Sequence, residues 1–290
     1  MRRTPPSSKR RPTTLAPRAL DRLIERSLRQ GAEALYRDPL LYDHLYVKRN
    51  DDIEFYVKMA RRYSGPVLEI GVGTGRVAVA LANAGFAVTG VDAMTSMLRQ
   101  ARARIAELPA PVQARIVLHR ADMRRLALGQ RYPLVIAPFN AFAHLYSRSD
   151  VERALAACRL HLRPGGRLIF DVIMPDLAAL MQDPSRLYRC ADVVDPNSGK
   201  RFAYSEASHY DPERQVRSMT LQLSHKTGKP RPRAIPLTHR QFFPAELAAL
   251  LHYNGFAIEE RFGDFSQGPL TERSETQVIV ARCVKAGIGV

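Results

Sequence analysis

The chain has 290 residues, 46% of them apolar, enough for one large domain or two small ones around a sizeable core. No apolar run approaches the roughly 20 residues that span a bilayer, no signal-peptide core appears, and Cys158, Cys190 and Cys283 form no CxxC pair or Cys/His cluster, so the expectation is a reduced, cytoplasmic protein with no metal ligands. The net charge of +16 invites a nucleic-acid reading, but the basic residues are mostly arginines spread along the chain, so RNA stands as an alternative partner rather than a conclusion.

In chain order, residues 1–19 read as a disordered basic tail, with Arg2, Arg3, Lys9, Arg10 and Arg11 among Pro, Ser and Thr. Leu20, Leu23, Ile24 and Leu28 then recur at helical spacing, so residues 15–37 form one or two helices. The stretch 20–64, which also holds Tyr42 to Arg49 and a helix over Ile53 to Arg62, is either a lid over a site or a layer packed on the domain.

Residues 65–176 alternate strand and helix. Strands are expected near 66–70, 87–91, 114–118, 133–137 and 167–172, and helices over Ala78 to Asn83 and Thr95 to Glu107. Such an order requires right-handed crossovers and a parallel sheet, with a ligand at the carboxyl ends of its strands. Within it, Glu69-Ile70-Gly71-Val72-Gly73-Thr74-Gly75-Arg76 is a glycine loop at a helix start, and Asp92 ends the next strand. Glycines let bare N–H groups approach a ligand, and the carboxylate can accept from both ribose hydroxyls. A dinucleotide fingerprint would place its last glycine at position 76, where a bulky arginine stands, and Glu69 would repel a pyrophosphate but attract a cationic ligand.

Residues 177–243 change texture. Alternating β-compatible stretches at Tyr188 to Val194, Lys200 to His209, Gln215 to Ser224 and Ala234 to Phe243, with turns at 195–199, Asp211-Pro212 and Thr227-Gly228, read as three or four inserted antiparallel strands forming a cap or a homodimer surface. Residues 244–290 supply a helix opened by Pro244 and ended by Asn254-Gly255, then an antiparallel pair over Phe256 to Phe262 and Thr276 to Cys283.

Glu69-x-Gly71-x-Gly73-x-Gly75 followed by Asp92 resembles the S-adenosylmethionine (SAM) site of class I methyltransferases. Ala121-Asp122-Met123 matches that family's third strand and adenine-binding acid, Tyr132 to Pro138 its fourth strand, and Leu162 to Asp171 the turn into its fifth. The resemblance implies an α/β, Rossmann-like seven-stranded sheet, mostly parallel with the last strand antiparallel and an antiparallel β cap inserted after strand 5. It implies SAM as cofactor, with S-adenosyl-L-homocysteine as product. The implied cofactor residues are Glu69, Gly71, Gly73, Thr74, Gly75, Arg76, Asp92, Ala93, Met97, Asp122, Met123, Pro138 and Phe139. In enzymes of this type a tyrosine-bearing segment before the first strand closes over the methionine end, making Tyr42 and Tyr46 candidates there, with Arg49 for the methionine carboxylate; an interfacial packing role is the alternative for each tyrosine.

Phe139-Asn140-Ala141-Phe142-Ala143-His144-Leu145 is similar to a segment of glycine N-methyltransferase and, in part, to the deoxysugar-amine N-methyltransferases. That likeness implies that Asn140 and His144 face the transferring methyl; the other reading of His144 is a satisfied structural histidine. The arginine that holds the glycine carboxylate in that family would fall at Ile173, so a larger, less anionic acceptor is expected, with Tyr204 and Arg240 as candidate pocket residues. The function implied is in-line N-methylation of a small molecule. RNA, protein or O-methylation and a non-catalytic SAM-binding regulator are the alternatives.

Overall fold

A computed structural model describes residues 17–225 and 232–284, excluding the side chains of 17–21. The basic tail through residue 16 and the expected Thr227-Gly228 turn lie outside the described residues. The tail expected over 1–19 is shortened by the helix α1 (Pro17–Glu33), which opens on a proline whose missing N–H costs nothing at a helix start. A 3-10 turn, Leu35–Arg37, leads to α2 (Pro39–Leu45), where Asp38 caps the Leu41 amide at 3.2 Å. The helix α3 (Asp51–Tyr63) carries Asp51, Asp52 and Glu54 in its first turn and Arg61 and Arg62 in its last, each charge complementing the helix dipole.

The core then runs β1 (Val67–Ile70), α4 (Arg76–Asn83), β2 (Val88–Asp92), α5 (Thr95–Ala106), α6 (Ala110–Gln113), β3 (Ile116–Arg120), β4 (Tyr132–Ala137), α7 (Arg148–His161) and β5 (Leu162–Ile173). After α8 (Leu177–Leu180) come β6 (Tyr188–Arg189), β7 (Val193–Val194), β8 (Arg201–Asp211), β9 (Val216–Ser224) and β10 (Arg233–Arg240). The chain closes with α9 (Pro244–Tyr253), β11 (Phe256–Phe262) and β12 (Thr276–Cys283). The large sheet has seven strands in the order β11-β12-β5-β4-β1-β2-β3, with β12 antiparallel to both neighbours and the others parallel, as the motif order implied. The order reverses between β1 and β4, which opens a crevice at their carboxyl ends.

The inserted residues form a separate antiparallel sheet, β10-β9-β8-β6, with β7 also on β8. The single strand expected over 188–194 is instead two short pieces. Arg189 turns its guanidinium onto the carbonyls of Cys190 (2.7 Å) and Tyr204 (2.6 Å) and onto Asp192 beside the break, while the Cys190 amide still donates to the Tyr204 carbonyl at 2.9 Å. Apolar residues cover both faces of the large sheet, with Phe142, Leu155 and Phe170 on one side and Phe55, Met59 and Leu81 on the other. A third cluster joins Leu35 and Leu41 to Leu221, Leu223, Ile235 and Leu237, so the N-terminal segment is built onto the inserted sheet. Among the described residues no helix is long and apolar enough to cross a membrane.

Candidate functional site

The glycine loop turns sharply after β1, with Gly71, Gly73 and Gly75 at φ of 71°, 55° and 81°, a region that side chains resist. A Cβ on Gly71 would also lie 2.9 Å from that of Ala141, so the loop and the segment after β4 approach as closely as glycine allows. Above them a cavity of ≈ 1250 Å³ runs across the carboxyl ends of β1, β2 and β4. Of the residues expected at the site, Tyr42, Glu69, Gly71, Gly73, Thr74, Arg76, Asp92, Ala93, Met97, Asp122, Met123, Pro138, Phe139 and His144 line it. Tyr46, Arg49, Gly75, Asn140, Tyr204 and Arg240 are not on its wall.

Asp92 is fixed at the tip of β2 by the amides of Gly73 (2.9 Å) and Met94 (2.7 Å), which use two of about four acceptor positions on its carboxylate. Burial raises its pKa, while those amides oppose the shift. Glu69 is 2% exposed and its Oε2 has no hydrogen-bond partner. Burial pushes its carboxyl up to about 8; Arg76 pulls the other way, but that guanidinium is held by Asp52 through two bonds of 2.6 Å. An unpartnered buried carboxyl beside an open glycine cradle fits a ligand that brings positive charge. Asp122 is bound by Arg124, with bonds of 2.6 to 3.1 Å, which holds its carboxyl below the usual range.

Phe139 and Asn140 adopt left-handed backbone angles, φ 57° and 61°, an uncommon pair for residues with side chains. The buried Asp171 pins them, accepting from the Phe139 amide at 2.7 Å, the Asn140 amide at 3.2 Å and the Tyr56 hydroxyl at 2.8 Å; burial raises its pKa to about 6. The side chain of Asn140 is turned to β5, where its Oδ1 accepts from the Ile173 amide at 2.6 Å. Asn140 therefore serves the turn that aims His144, rather than facing the cavity as expected. Tyr46 and Arg49 stand behind Phe139, with ring centroids 4.9 Å apart and the guanidinium 4.9 Å from the ring. Tyr204 bonds Glu206, and Arg240 pairs with Glu246 at 2.5 Å on the route into α9.

His144 lies between two phenols: Nε2 is 2.7 Å from the Tyr36 hydroxyl and Nδ1 is 3.2 Å from that of Tyr146. His239 on β10 packs edge-on at 5.1 Å, and burial lowers the His144 pKa to about 4. Sequence reasoning named neither Tyr36 nor Tyr146 for the site, yet both line the cavity. Tyr146 sits two residues beyond His144 in the same motif, a signal that was available. Tyr36 is 108 positions away and reaches the site only through the packing of the N-terminal segment. From α1, the apolar Ile24, Leu28 and Ala32 and the charged Glu25, Arg29 and Glu33 line the same cavity, as do Ser147 and Asp150. Among the described residues no three His, Cys, Asp or Glu side chains gather as a metal site.

Residues 67–166 match the methyltransferase domain family. Over 126 residues the chain is 27% identical to a dTDP-3-amino-3,6-dideoxy-alpha-D-glucopyranose N,N-dimethyltransferase of Streptomyces fradiae, covering 43% of this chain and 46% of that protein. Over 148 residues it is 38% identical to an S-adenosyl-L-methionine-dependent Diels-Alderase of Talaromyces variabilis, covering 49% and 48%. These matches thus span about half the length of each curated relative. Among solved structures, the CcbJ methyltransferase of Streptomyces caelestis superposes with a TM-score of 0.71 at 27% identity, covering 86% of this chain and 98% of that one.

Proposed function

We propose that this chain, a class I SAM-dependent methyltransferase by its domain and fold, methylates a small-molecule amine seated between α1 and the Leu145–Ser147 wall. The observation that carries the proposal is the placement of the uncharged His144–Tyr36 pair on the wall of the same cavity as the glycine cradle. The cradle, Glu69, Asp92 and Met97 would hold the cofactor, with Asp92 on the ribose and Asp122 and Met123 beside the adenine. When bound, the cofactor supplies an activated methyl on a positively charged sulfur, which leaves with the bonding pair. The protein's own part is to align the acceptor nitrogen and exclude water, which accounts for several kcal/mol in such reactions.

An ammonium has no lone pair, so the acceptor must be present as the free base. Burial favours that form, since it disfavours the charged state of His144 and of any amine beside it. The cavity wall offers the acceptor apolar surface from Ile24, Leu28 and Ala32 of α1 beside Glu25, Arg29 and Glu33, and the position at which the resemblance to glycine N-methyltransferase implies a carboxylate-binding arginine is Ile173 here, which supports a larger, less anionic amine.

Radiolabelled methyl from SAM, supplied with the protein to a cell extract that is then split into small-molecule, RNA and protein fractions, tests the reading. Label in a small-molecule amine supports it. Label in RNA or protein would redirect attention to the basic surface, and tight SAM binding with label in no fraction would favour a pericyclic or non-transferring role, such as the relative named a Diels-Alderase suggests.

A further inference from the structure

We infer that Tyr146, held by Thr238 of the inserted sheet, is a positioning residue that fixes His144 as its Nδ1–H tautomer and so makes the Tyr36 hydroxyl present lone pairs, not its proton, to the acceptor nitrogen. The inference rests on the amine reading proposed above.

It comes from following protons along one hydrogen-bonded chain. The Thr238 hydroxyl donates to the Leu28 carbonyl at 3.2 Å, and a carbonyl oxygen only accepts. Thr238 Oγ1 therefore accepts from the Tyr146 hydroxyl at 2.7 Å. The Thr238 carbonyl, 3.2 Å from the same hydroxyl, is a second group that only accepts. With its proton directed to Thr238, Tyr146 meets His144 Nδ1 as an acceptor at 3.2 Å, so Nδ1 carries the hydrogen. A neutral imidazole has one N–H, which leaves Nε2 bare to accept the Tyr36 proton at 2.7 Å. The titratable groups packed around the ring are Tyr36, Tyr146 and His239, and burial keeps all three uncharged near neutral pH.

The direction of this chain decides what the acceptor meets. With the opposite tautomer, Nε2–H would donate to the Tyr36 oxygen and release the phenolic proton toward the cavity. That proton would bond to the nitrogen lone pair needed for attack. With the direction set by Thr238, the Tyr36 oxygen accepts an N–H of the amine and leaves the lone pair free to face the glycine cradle. The inserted sheet therefore acts on the chemistry at a distance of two side chains. Gly31 makes this contact close, because any Cβ there would lie 2.4 Å from the Thr238 side chain.

Nitrogen-15 spectra of the full chain labelled at histidine, with His144 assigned by its absence in H144N, read the tautomer without any turnover. The expected result is a protonated Nδ1 and a bare Nε2 in the parent protein, with the Nε2–H form gaining population in Y146F. A parent His144 protonated at Nε2 would overturn the inference whatever the protein methylates. In turnover, Y146F should lower kcat on the order of tenfold with SAM affinity unchanged, as loss of one orienting hydrogen bond predicts. A Y146F protein with parental kcat would also overturn the inference, and if that variant does not fold, the parent spectrum decides alone. Failure to methylate any amine, with the tautomer as stated, would remove the amine reading but not the tautomer assignment.

Discussion

Glu69 is the side chain whose charge depends most on what binds beside it. Its carboxyl is held near 8 by burial, so in the free protein it is largely protonated at pH 7, and a cationic ligand in the cradle would draw out the proton. SAM binding at pH 7 is therefore expected to release close to one proton, with affinity rising from about pH 6 to pH 8 and levelling above. Calorimetry in buffers of different ionisation enthalpy measures that release, and E69Q should abolish it; an unchanged release in E69Q would place the proton elsewhere. The effect on folding has the opposite sign at the buried histidines. Glu69, raised above its unfolded value, stabilises below pH 4.5 and loses that contribution as pH rises through 8. His144 and His239, lowered to about 4 and 3, contribute above pH 6.5 and lose it as pH falls through those values. Melting temperatures should accordingly drop between pH 6.5 and 4, by a stability change on the order of 3 kcal/mol, and H239Q should reduce the drop. At this scale the sharp glycine turn and the position of Glu69 and Asp92 at the strand ends were legible in the sequence, because local backbone and strand order alone set them. Asn140 was misjudged because its partner, the Ile173 amide, is 33 positions away and leaves no mark on the local pattern.

The helix α1 lies against β10 because Gly31 permits it. An alanine there is intrinsically better for a helix by about 1 kcal/mol. Its Cβ would nevertheless fall 2.4 Å from Thr238, whose strand is held by pairing to β9 and cannot withdraw. G31A should thus destabilise the packing by about 1–3 kcal/mol. Its mark would be faster proteolysis of α1 and a raised KM for the acceptor, with SAM affinity unchanged. A G31A protein with slower proteolysis of α1 would show that helix propensity, not the contact, governs this element. The same contrast explains which elements were legible. Parallel strands such as β1 and β4 are buried on both faces and read as apolar runs, so their period and order survive in the sequence. The break between β6 and β7 falls beside side-chain contacts of Arg189, and the seating of α1 depends on a missing Cβ. Neither produces a hydrophobic period.

Across the whole molecule the N-terminal segment through α2 shares one apolar cluster with the inserted sheet, whereas α3 packs Phe55 and Met59 into the core; apart from the Tyr42 and Tyr46 rings on Phe139, the hydrogen bonds that tie the segment through α2 to the core are polar side-chain contacts. Asp43 of α2 accepts from Thr74 Oγ1 of the glycine loop at 2.6 Å and from Arg104 of α5 at 2.7 Å; Ser96 donates to the Tyr36 carbonyl at 2.6 Å. Polar contacts exchange with water at small net cost, about 0.5–1.5 kcal/mol each, whereas parting the Leu35–Leu237 cluster would expose several apolar side chains at about 1.5–3 kcal/mol apiece. The molecule is therefore expected to open along the polar seam, with the N-terminal segment and inserted sheet moving together. Several of the arginines that make the chain basic are paired with acids, Arg104 with Asp43 across this seam, and Arg76 with Asp52 and Arg167 with Glu259 inside the core. D43N should weaken the seam by removing a charged acceptor shared by two donors. Hydrogen exchange across residues 35–46 should then speed by about tenfold, while strands β1 and β4 keep their protection. SAM affinity should fall along with it, because the one amide oxygen of asparagine cannot accept from both Thr74 and Arg104, which loosens the hold on the glycine loop. Equal acceleration in β1 and β4 would mean that Asp43 supports global stability, and that the N-terminal segment is no more separable from the core than α4 or α5.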